Sequence, residues 1–125
     1  SCTVGYQEKS SYLQMDGQEV FKFALKTVPE CIEEVMKKGN IEKERVKYYV
    51  LHQANSRIIS GVAKKLREKE EKFPINIEKY GNTSAASIPI LLDEMHKEGK
   101  LEKGDILVLA GFGAGLTWGS TLLQW

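Results

Sequence analysis

The chain has 125 residues, of which 42% are hydrophobic and 28% are charged, and its formal net charge is +1. This length predicts a single domain with a core of its own, and this composition excludes a disordered chain. The nearly balanced charge gives no indication of binding to nucleic acid or to a membrane surface.

The first predicted elements are a short strand in SYLQMDG, residues 11–17, and a helix that follows it. Asp16 and Glu19 have the spacing of a capping box, which marks a helix start. An apolar stripe then recurs every three or four residues: Phe21, Leu25, Val28, Ile32 and Val35. Pro29 predicts a kink or a split in this helix, and Gly39 is expected in the usual position after its end.

A short strand and a second helix come next. VKYYVL, residues 46–51, is rich in β-branched and aromatic residues and predicts a buried strand. Asn55 is a natural N-cap for the helix after it. The apolar stripe of that helix is formed by Ile58, Ile59, Val62, Ala63 and Leu66. The charged run KKLREKEEKF after this stripe is typical of a solvated helix end.

The last third of the chain predicts a short extended piece in NIEKYG, a third helix and two strands. Pro89 fits the first turn of this helix, and Gly99 ends it. ILVLAGFG, residues 106–113, predicts a buried strand, and AGLTWGSTLLQW predicts a final one. The glycines between the two predict a tight hairpin whose backbone lies close to another group: Gly111, Gly113 and Gly115.

The resulting order is β-α-β-α-(β)-α-β-β, which predicts an α/β fold. We expect one domain with a mixed β-sheet flanked by helices and ending in an antiparallel strand pair.

The candidate chemical groups are hydrogen-bond donors without a nucleophile. His52 ends a buried strand where the chain turns into a helix, and Asn82 lies at a similar junction. Ligands of α/β sheets bind outside the carboxyl ends of the strands. Each residue also has an ordinary interpretation, since a lone histidine is common in cores and asparagine is common in turns. The GFGAG turn can be a plain hairpin or a backbone N–H aimed at a reacting oxygen.

Several nucleophile and cofactor schemes do not fit the sequence. It contains no G-x-S-x-G motif, and GFGAG lacks the Lys and Ser/Thr of a phosphate-binding loop. Cys31 is expected in the middle of a helix, and it forms no metal-type spacing with Cys2. We expect both cysteines to be free thiols in a reducing compartment. No apolar stretch has the length of a membrane-spanning helix, and we expect no signal peptide.

Four motifs in one order resemble the C-terminal half of β-ketoacyl-acyl-carrier-protein synthase III. They are MDGQEVFKFA, HQAN-x-R-I-I, YGNTSAASIP and GFGAGLTWGS, and the resemblance runs from about Tyr12 to Trp125. The resemblance implies one half of a thiolase-like αβαβα sandwich. It also implies that the catalytic Cys lies in an N-terminal half. The opening SCTVGYQ, without Met, is expected of a piece of a longer protein.

The resemblance also implies a mechanism and roles for individual residues. The Cys of the other half takes an acyl group from acyl-CoA, and malonyl-acyl-carrier protein then loses CO2. His52 and Asn82 donate hydrogen bonds to the enolate, and the backbone N–H of Ala114 contributes to the oxyanion hole. The substrate-binding positions are Gly17, Phe21, Asn55 and Phe112. No metal or cofactor is implied.

The implied partners are an N-terminal half of the same enzyme, the acyl carrier protein and a CoA thioester. The basic residues that match the family's carrier-protein patch are Lys22, Arg57, Lys64 and Lys65. A complete enzyme is expected to be a cytoplasmic homodimer, and this chain alone is expected to be inactive. Two alternatives stay open: a non-catalytic folding or interaction module, and half of an enzyme similar to type III polyketide synthases.

Overall fold

The structure, a computed structural model, describes residues 14–125. The helices of this part are α1 (Gly17–Lys38), α2 (Ser56–Lys65), α3 (Ile77–Tyr80) and α4 (Ser87–Lys97). Its strands are β1 (Val46–Leu51), β2 (Ile106–Gly113) and β3 (Thr117–Gln124). Of the strand predicted in residues 11–17, 11–13 lie outside the described residues, 14–16 have no regular structure and Gly17 begins α1.

Within the described residues the strands form one mixed sheet in the order β1-β2-β3. β1 runs parallel to β2, so that Leu51 pairs with Ala110, and β2 runs antiparallel to β3, so that Gly113 pairs with Thr117. The predicted α/β fold with a terminal antiparallel pair is therefore confirmed. Because β1 and β2 are parallel, their carboxyl ends meet at one edge, and the helices form the crossover between them.

Helices cover both faces of this sheet. On one face α1 and α2 pack against the strands, with a fully buried set that includes Val28, Ile32, Ile59, Val62 and Val108. On the other face α4 contributes Leu91 and Met95, which pack against Val50 and Leu107. Burial of such side chains stabilises a fold by about 1.5–3 kcal/mol each. The apolar residues that recur periodically in the sequence thus form this two-sided core.

Helix α1 begins at the predicted cap and continues through its proline. The Asp16 carboxylate accepts hydrogen bonds from the N–H groups of Gln18 and Glu19, both at 3.1 Å. Pro29 is buried, and the helix runs past it to Lys38, so Pro29 does not split the element.

Gly39 directly follows the end of α1, as predicted, but it does not adopt the left-handed conformation that is common for a glycine at a helix end. Its φ is −83°, while Asn40 adopts the left-handed φ of 51°. A Cβ at Gly39 would overlap the side chain of Leu122 in β3. Gly39 is therefore required by close packing, and Asn40 carries the reversal of the chain, a conformation that Asn tolerates.

Two further predictions were wrong. The charged run after α2 is not one helix end, because α2 stops at Lys65 and the chain turns into a short 3-10 helix at Glu70–Lys72. The extended piece in NIEKYG is the helical turn α3, which ends at Gly81 with a φ of 70°. The carbonyl of Asn76 starts this turn by accepting the N–H groups of Lys79 and Tyr80.

Candidate active site

His52 lies at the carboxyl edge of the sheet, directly after β1. Its backbone N–H donates to the carbonyl of Ala110 at 2.9 Å, which extends the β1–β2 pairing by one residue. The half-buried imidazole is edge-on to the ring of Phe112, with centroids 5.4 Å apart and an interplanar angle of 82°. Strand pairing and an aromatic neighbour therefore fix both the backbone and the ring of His52.

Ser87, the first residue of α4, holds the inner side of the imidazole. Its Oγ lies 2.8 Å from Nδ1 of His52, and the side chain is only 2% exposed. The same Oγ accepts the backbone N–H of Gln53 at 3.2 Å. The start of α4 is thereby tied to the end of β1, and Nε2 is the ring nitrogen that Ser87 leaves open.

Gln53 anchors the loops behind the histidine and is 1% exposed. Its Nε2 donates to the carbonyl of Leu51 at 2.9 Å and to that of Pro74 at 3.5 Å. Its Oε1 accepts the N–H of Asn76 at 3.1 Å. The amide therefore connects the end of β1 to the segment that leads into α3.

Burial lowers the pKa of His52 below its ordinary value of 6.5, and a hydrogen bond with the backbone of Ser84 offsets part of that shift. Removing the imidazole from water disfavours its charged form. The ring is therefore neutral at pH 7, with one nitrogen that donates and one that accepts.

Asn82 is exposed, and its side chain is oriented by a local turn. Its Oδ1 accepts the N–H of Ser84 at 3.0 Å, and Ser84 has a left-handed φ of 54°. This contact fixes which end of the amide is oxygen. Within residues 14–125 no group accepts a hydrogen bond from the amide nitrogen of Asn82, so its two protons can serve a ligand.

Ser84 joins the two predicted catalytic residues. The imidazole of His52 and the amide of Asn82 both hydrogen-bond to its backbone. The structure therefore brings His52 and Asn82, thirty residues apart in the sequence, to one end of the sheet. Backbone in the left-handed region costs a residue with a Cβ about 1–2 kcal/mol, and such positions cluster at functional sites.

The β2–β3 hairpin contributes exposed backbone near this edge. Ala114 lies in the three-residue loop between the strands, and its carbonyl accepts the hydroxyl of Thr117 at 3.0 Å. Its φ is not positive, so alanine meets no penalty there, whereas Gly115 has a φ of 144°. Among the described residues no atom lies within 4 Å of a Cβ built at Gly113. The predicted close approach to that glycine is therefore not made within this part of the chain.

The positions predicted to bind the substrate arm surround the starts of α1 and α2. Asn55 caps α2, since its Oδ1 accepts the N–H of Arg57 at 2.8 Å. Gly17 is the exposed first residue of α1. Phe21 is half-buried against the core, and the guanidinium of Arg57 lies 5.4 Å from its ring centroid. Asn55 and Phe21 therefore have structural roles as well.

The predicted basic residues lie where α1 and α2 run side by side. Gly61 of α2 meets Leu25 of α1 so closely that a Cβ at Gly61 would overlap the leucine. Beside this contact is an open groove of about 420 Å³. Its lining includes Lys22, Lys65 and also Lys26, which sequence reasoning missed.

The two remaining basic positions, Arg57 and Lys64, lie outside the lining of this groove. Arg57 sits over the Phe21 ring near the start of the same helix pair. Lys64 is exposed on α2 but does not line the groove.

A second depression of about 380 Å³ lies at the amino ends of β1 and β2, away from His52. Residues 14–125 contain no group of three His, Cys, Asp or Glu side chains that could hold a metal ion. None of their helices is long and apolar enough to cross a bilayer. Cys31 is a free thiol in the middle of α1 that donates to Ser120 Oγ at 2.9 Å, and Cys2 falls outside the described residues.

Comparison with known proteins gives a family match over most of the chain. Residues 36–125 match the family described as 3-oxoacyl-[acyl-carrier-protein (ACP)] synthase III C terminal. A β-ketoacyl-[acyl-carrier-protein] synthase III of Clostridium tetani is 54% identical over 117 residues, which is 94% of this chain and 35% of that protein. The chain thus spans about a third of the length of the curated relatives that it matches.

Solved structures show the same similarity. The 3-oxoacyl-[acyl-carrier-protein] synthase III of Aquifex aeolicus superposes with a TM-score of 0.89 at 48% identity, over 91% of this chain and 37% of that one. The β-ketoacyl-[acyl carrier protein] synthase III of Thermus thermophilus superposes with a TM-score of 0.90 at 40% identity, over 93% and 36%. The thiolase-like architecture expected from the motifs is confirmed.

Proposed function

Because the chain belongs to the 3-oxoacyl-[acyl-carrier-protein] synthase III C-terminal family, we propose that it supplies the enolate-stabilising half of such a synthase's active site. The complete enzyme would condense acyl-CoA with malonyl-acyl-carrier protein at the start of fatty-acid synthesis. It would be an acyltransferase that uses a Cys of its N-terminal half and needs no metal or cofactor.

One observation carries this proposal: a neutral His52 and the amide of Asn82 both hydrogen-bond to the backbone of Ser84 at the carboxyl edge of the sheet. A neutral imidazole and an amide both donate hydrogen bonds without bringing a charge of their own. Such a pair suits an oxygen that becomes negative during a reaction. Preorganised donors of this kind stabilise the transition state more than the ground state.

In the proposed condensation, malonyl thioester loses CO2 as the bond between its α-carbon and carboxylate breaks. The electron pair moves onto the thioester oxygen, where His52 and Asn82 donate hydrogen bonds to the enolate. The enolate carbon then attacks the acyl-Cys carbonyl, and the Cys thiolate leaves. The N–H of Ala114, on the exposed hairpin, would donate to the oxyanion of that tetrahedral step.

The substrate arm and its carrier protein would approach across the starts of α1 and α2. Asn55 and Gly17 would contact the pantetheine arm, and Phe21 and Phe112 would form apolar walls. The groove between α1 and α2 is lined by Lys22, Lys26 and Lys65, by the carboxylates of Glu30 and Glu33, and by Leu25 and Pro29. The excess of lysine over glutamate side chains supports docking of an acidic protein surface. We also assign the complete enzyme to the cytoplasm, as a homodimer.

The test uses a complete synthase that contains this chain, assayed for condensation of acyl-CoA with malonyl-acyl-carrier protein. His52→Ala should lower kcat by about 10²–10³, the usual effect of losing one such donor. His96→Ala is the matched control, because His96 is an exposed residue of α4. Condensation by the His52→Ala enzyme at the rate of the control would refute the proposed function.

The carrier-protein surface has a separate test in the same enzyme. Lys65→Glu should weaken use of malonyl-acyl-carrier protein and leave acylation by the small CoA thioester nearly unchanged. The defect should shrink as salt rises, because 0.1 M salt screens exposed charges over about 10 Å. Lys103→Glu, at an exposed turn before β2, is the control. An equal loss with both substrates at every salt concentration would argue against this surface.

A further inference from the structure

We infer that Ser87 is a positioning residue that holds the ring proton of His52 on Nε2, the nitrogen that Ser87 does not contact. The inference rests on the proposed function for its catalytic meaning. The assignment of the tautomer itself depends only on contacts within the described residues.

The hydrogen-bonding capacity of Ser87 Oγ determines the direction of its contact with the ring. A hydroxyl has one proton to donate and two lone pairs that accept. The backbone N–H of Gln53 can only donate, so it occupies one lone pair of Oγ at 3.2 Å. Within residues 14–125 the remaining partner of Oγ is His52 Nδ1 at 2.8 Å.

The two possible tautomers therefore differ in how well Ser87 is satisfied. If Nδ1 carried the proton, Oγ would accept twice and its own O–H would have no acceptor. Ser87 is 2% exposed, so water could not replace that acceptor. An unmet buried polar group is unfavourable enough to decide between two tautomers of similar energy. If Nε2 carries the proton, Ser87 O–H donates to Nδ1, and the Ser87 hydroxyl both donates and accepts a hydrogen bond.

The surroundings of Ser87 keep it in this position. It is the first residue of α4, and its backbone N–H donates to the carbonyl of Ser84. The partial positive charge at the start of α4 disfavours a second proton on the adjacent imidazole. Gln53 holds the hydroxyl from the β1 side. The Nε2–H of His52 is thus prepared as a donor before any substrate binds.

The direct test is nitrogen-15 NMR of the labelled 125-residue chain, at a pH about two units above the ordinary histidine value. Long-range proton–nitrogen correlations identify which ring nitrogen carries the proton. His52 should show a single tautomer with the proton on Nε2, whereas exposed His96 should show an exchanging mixture. Predominance of the Nδ1–H form of His52 would overturn the inference without touching the family assignment.

Ser87→Ala tests whether the serine is the cause. Nδ1 then loses its donor, while the hydrogen bond of the ring with the Ser84 backbone remains, so the Nδ1–H population of His52 should grow. Near-ultraviolet circular dichroism reports whether this variant folds. If the Ser87→Ala variant does not fold, the Ser87→Thr variant is measured in its place. The inference then requires that His52 in the Ser87→Thr variant keeps the single Nε2–H tautomer. An unchanged tautomer in folded Ser87→Ala would show that Ser87 does not set it.

A kinetic arm in the complete synthase connects the tautomer to the reaction. Ser87→Ala should lower kcat for malonyl decarboxylation by about two- to tenfold, the value of one hydrogen bond, with KM nearly unchanged. Ser87→Thr should restore it, and Thr121→Ala on the exposed face of β3 should have no effect. A loss confined to KM would overturn the positioning role. If His52→Ala left decarboxylation intact, the proposed function would fail while the NMR result could still stand.

Discussion

Replacing Gln53 with Leu should destabilise the chain and loosen the site, although leucine is similar in size. The substitution removes hydrogen bonds of 2.9 and 3.1 Å to the carbonyl of Leu51 and the N–H of Asn76, and a weaker one to Pro74. Two backbone groups that lose a buried partner cost about 1–3 kcal/mol each, or about 2–6 kcal/mol together. Burying the apolar leucine returns about 1.5–3 kcal/mol. We therefore expect a net loss near 2 kcal/mol, a large part of the stability of a single domain.

Urea unfolding of the 125-residue chain measures this change, and a loss of 2 kcal/mol corresponds to a fall in Tm of about 8 °C. Gln18→Leu is the control, because Gln18 is exposed in the first turn of α1 and should change stability by less than about 0.5 kcal/mol. Hydrogen exchange at the Asn76 amide supplies a local readout. A Gln53→Leu chain as stable as the control, with that amide still protected, would refute the reasoning.

Three further predictions concern the end of α1 and the titration of His52. Gly39→Ala should destabilise the chain by about 1–3 kcal/mol through overlap with Leu122, whereas Asn40→Gly should be tolerated, because of these two residues only Asn40 has a positive φ. The opposite order in urea unfolding would mean that the helix end is wrongly assigned. Since the pKa of His52 is lowered on folding, the unfolded chain binds its proton first. Stability should therefore be complete above pH 6.5 and fall as pH drops toward the lowered value. His52→Gln should remove this slope and His96→Gln should keep it, and a slope that survives in His52→Gln would exclude His52 as its source. Condensation by a complete synthase should likewise fall with acid as His52 becomes charged, and a pH-rate profile without that limb would contradict the need for a neutral ring.

The sequence predicts the elements well where a periodic pattern coincides with burial. The apolar stripes of α1, α2 and α4 and most apolar residues of β1 and β2 are either buried in the core or packed against it in the structure. The pattern fails in NIEKYG because four residues are too few for a period to appear. There the conformation depends on a contact between residues far apart in the sequence: the side chain of Gln53 accepts a hydrogen bond from the N–H of Asn76.

The residues of the candidate site likewise divide into those that the sequence predicts and those that it does not. His52 and Asn82 are marked in the sequence by their positions at strand and helix junctions and by the motifs around them. Gln53 and Ser87 are not, although HQAN and GNTSAAS contain them, because burial and hydrogen bonding across the sheet define their roles. The need for glycine at position 39 likewise depends on Leu122, more than eighty residues away.

The most direct measurement of the central claim separates the two half-reactions in a complete synthase with Asn82→Asp. This change keeps the oxygen that accepts the Ser84 N–H and removes the amide protons. Malonyl decarboxylation and acylation of the catalytic Cys by acyl-CoA are measured side by side. The account predicts that decarboxylation falls by about 10²–10³ while acylation proceeds near its normal rate. Equal loss of both half-reactions, or retention of decarboxylation, would contradict the assignment of Asn82 and His52 to the enolate.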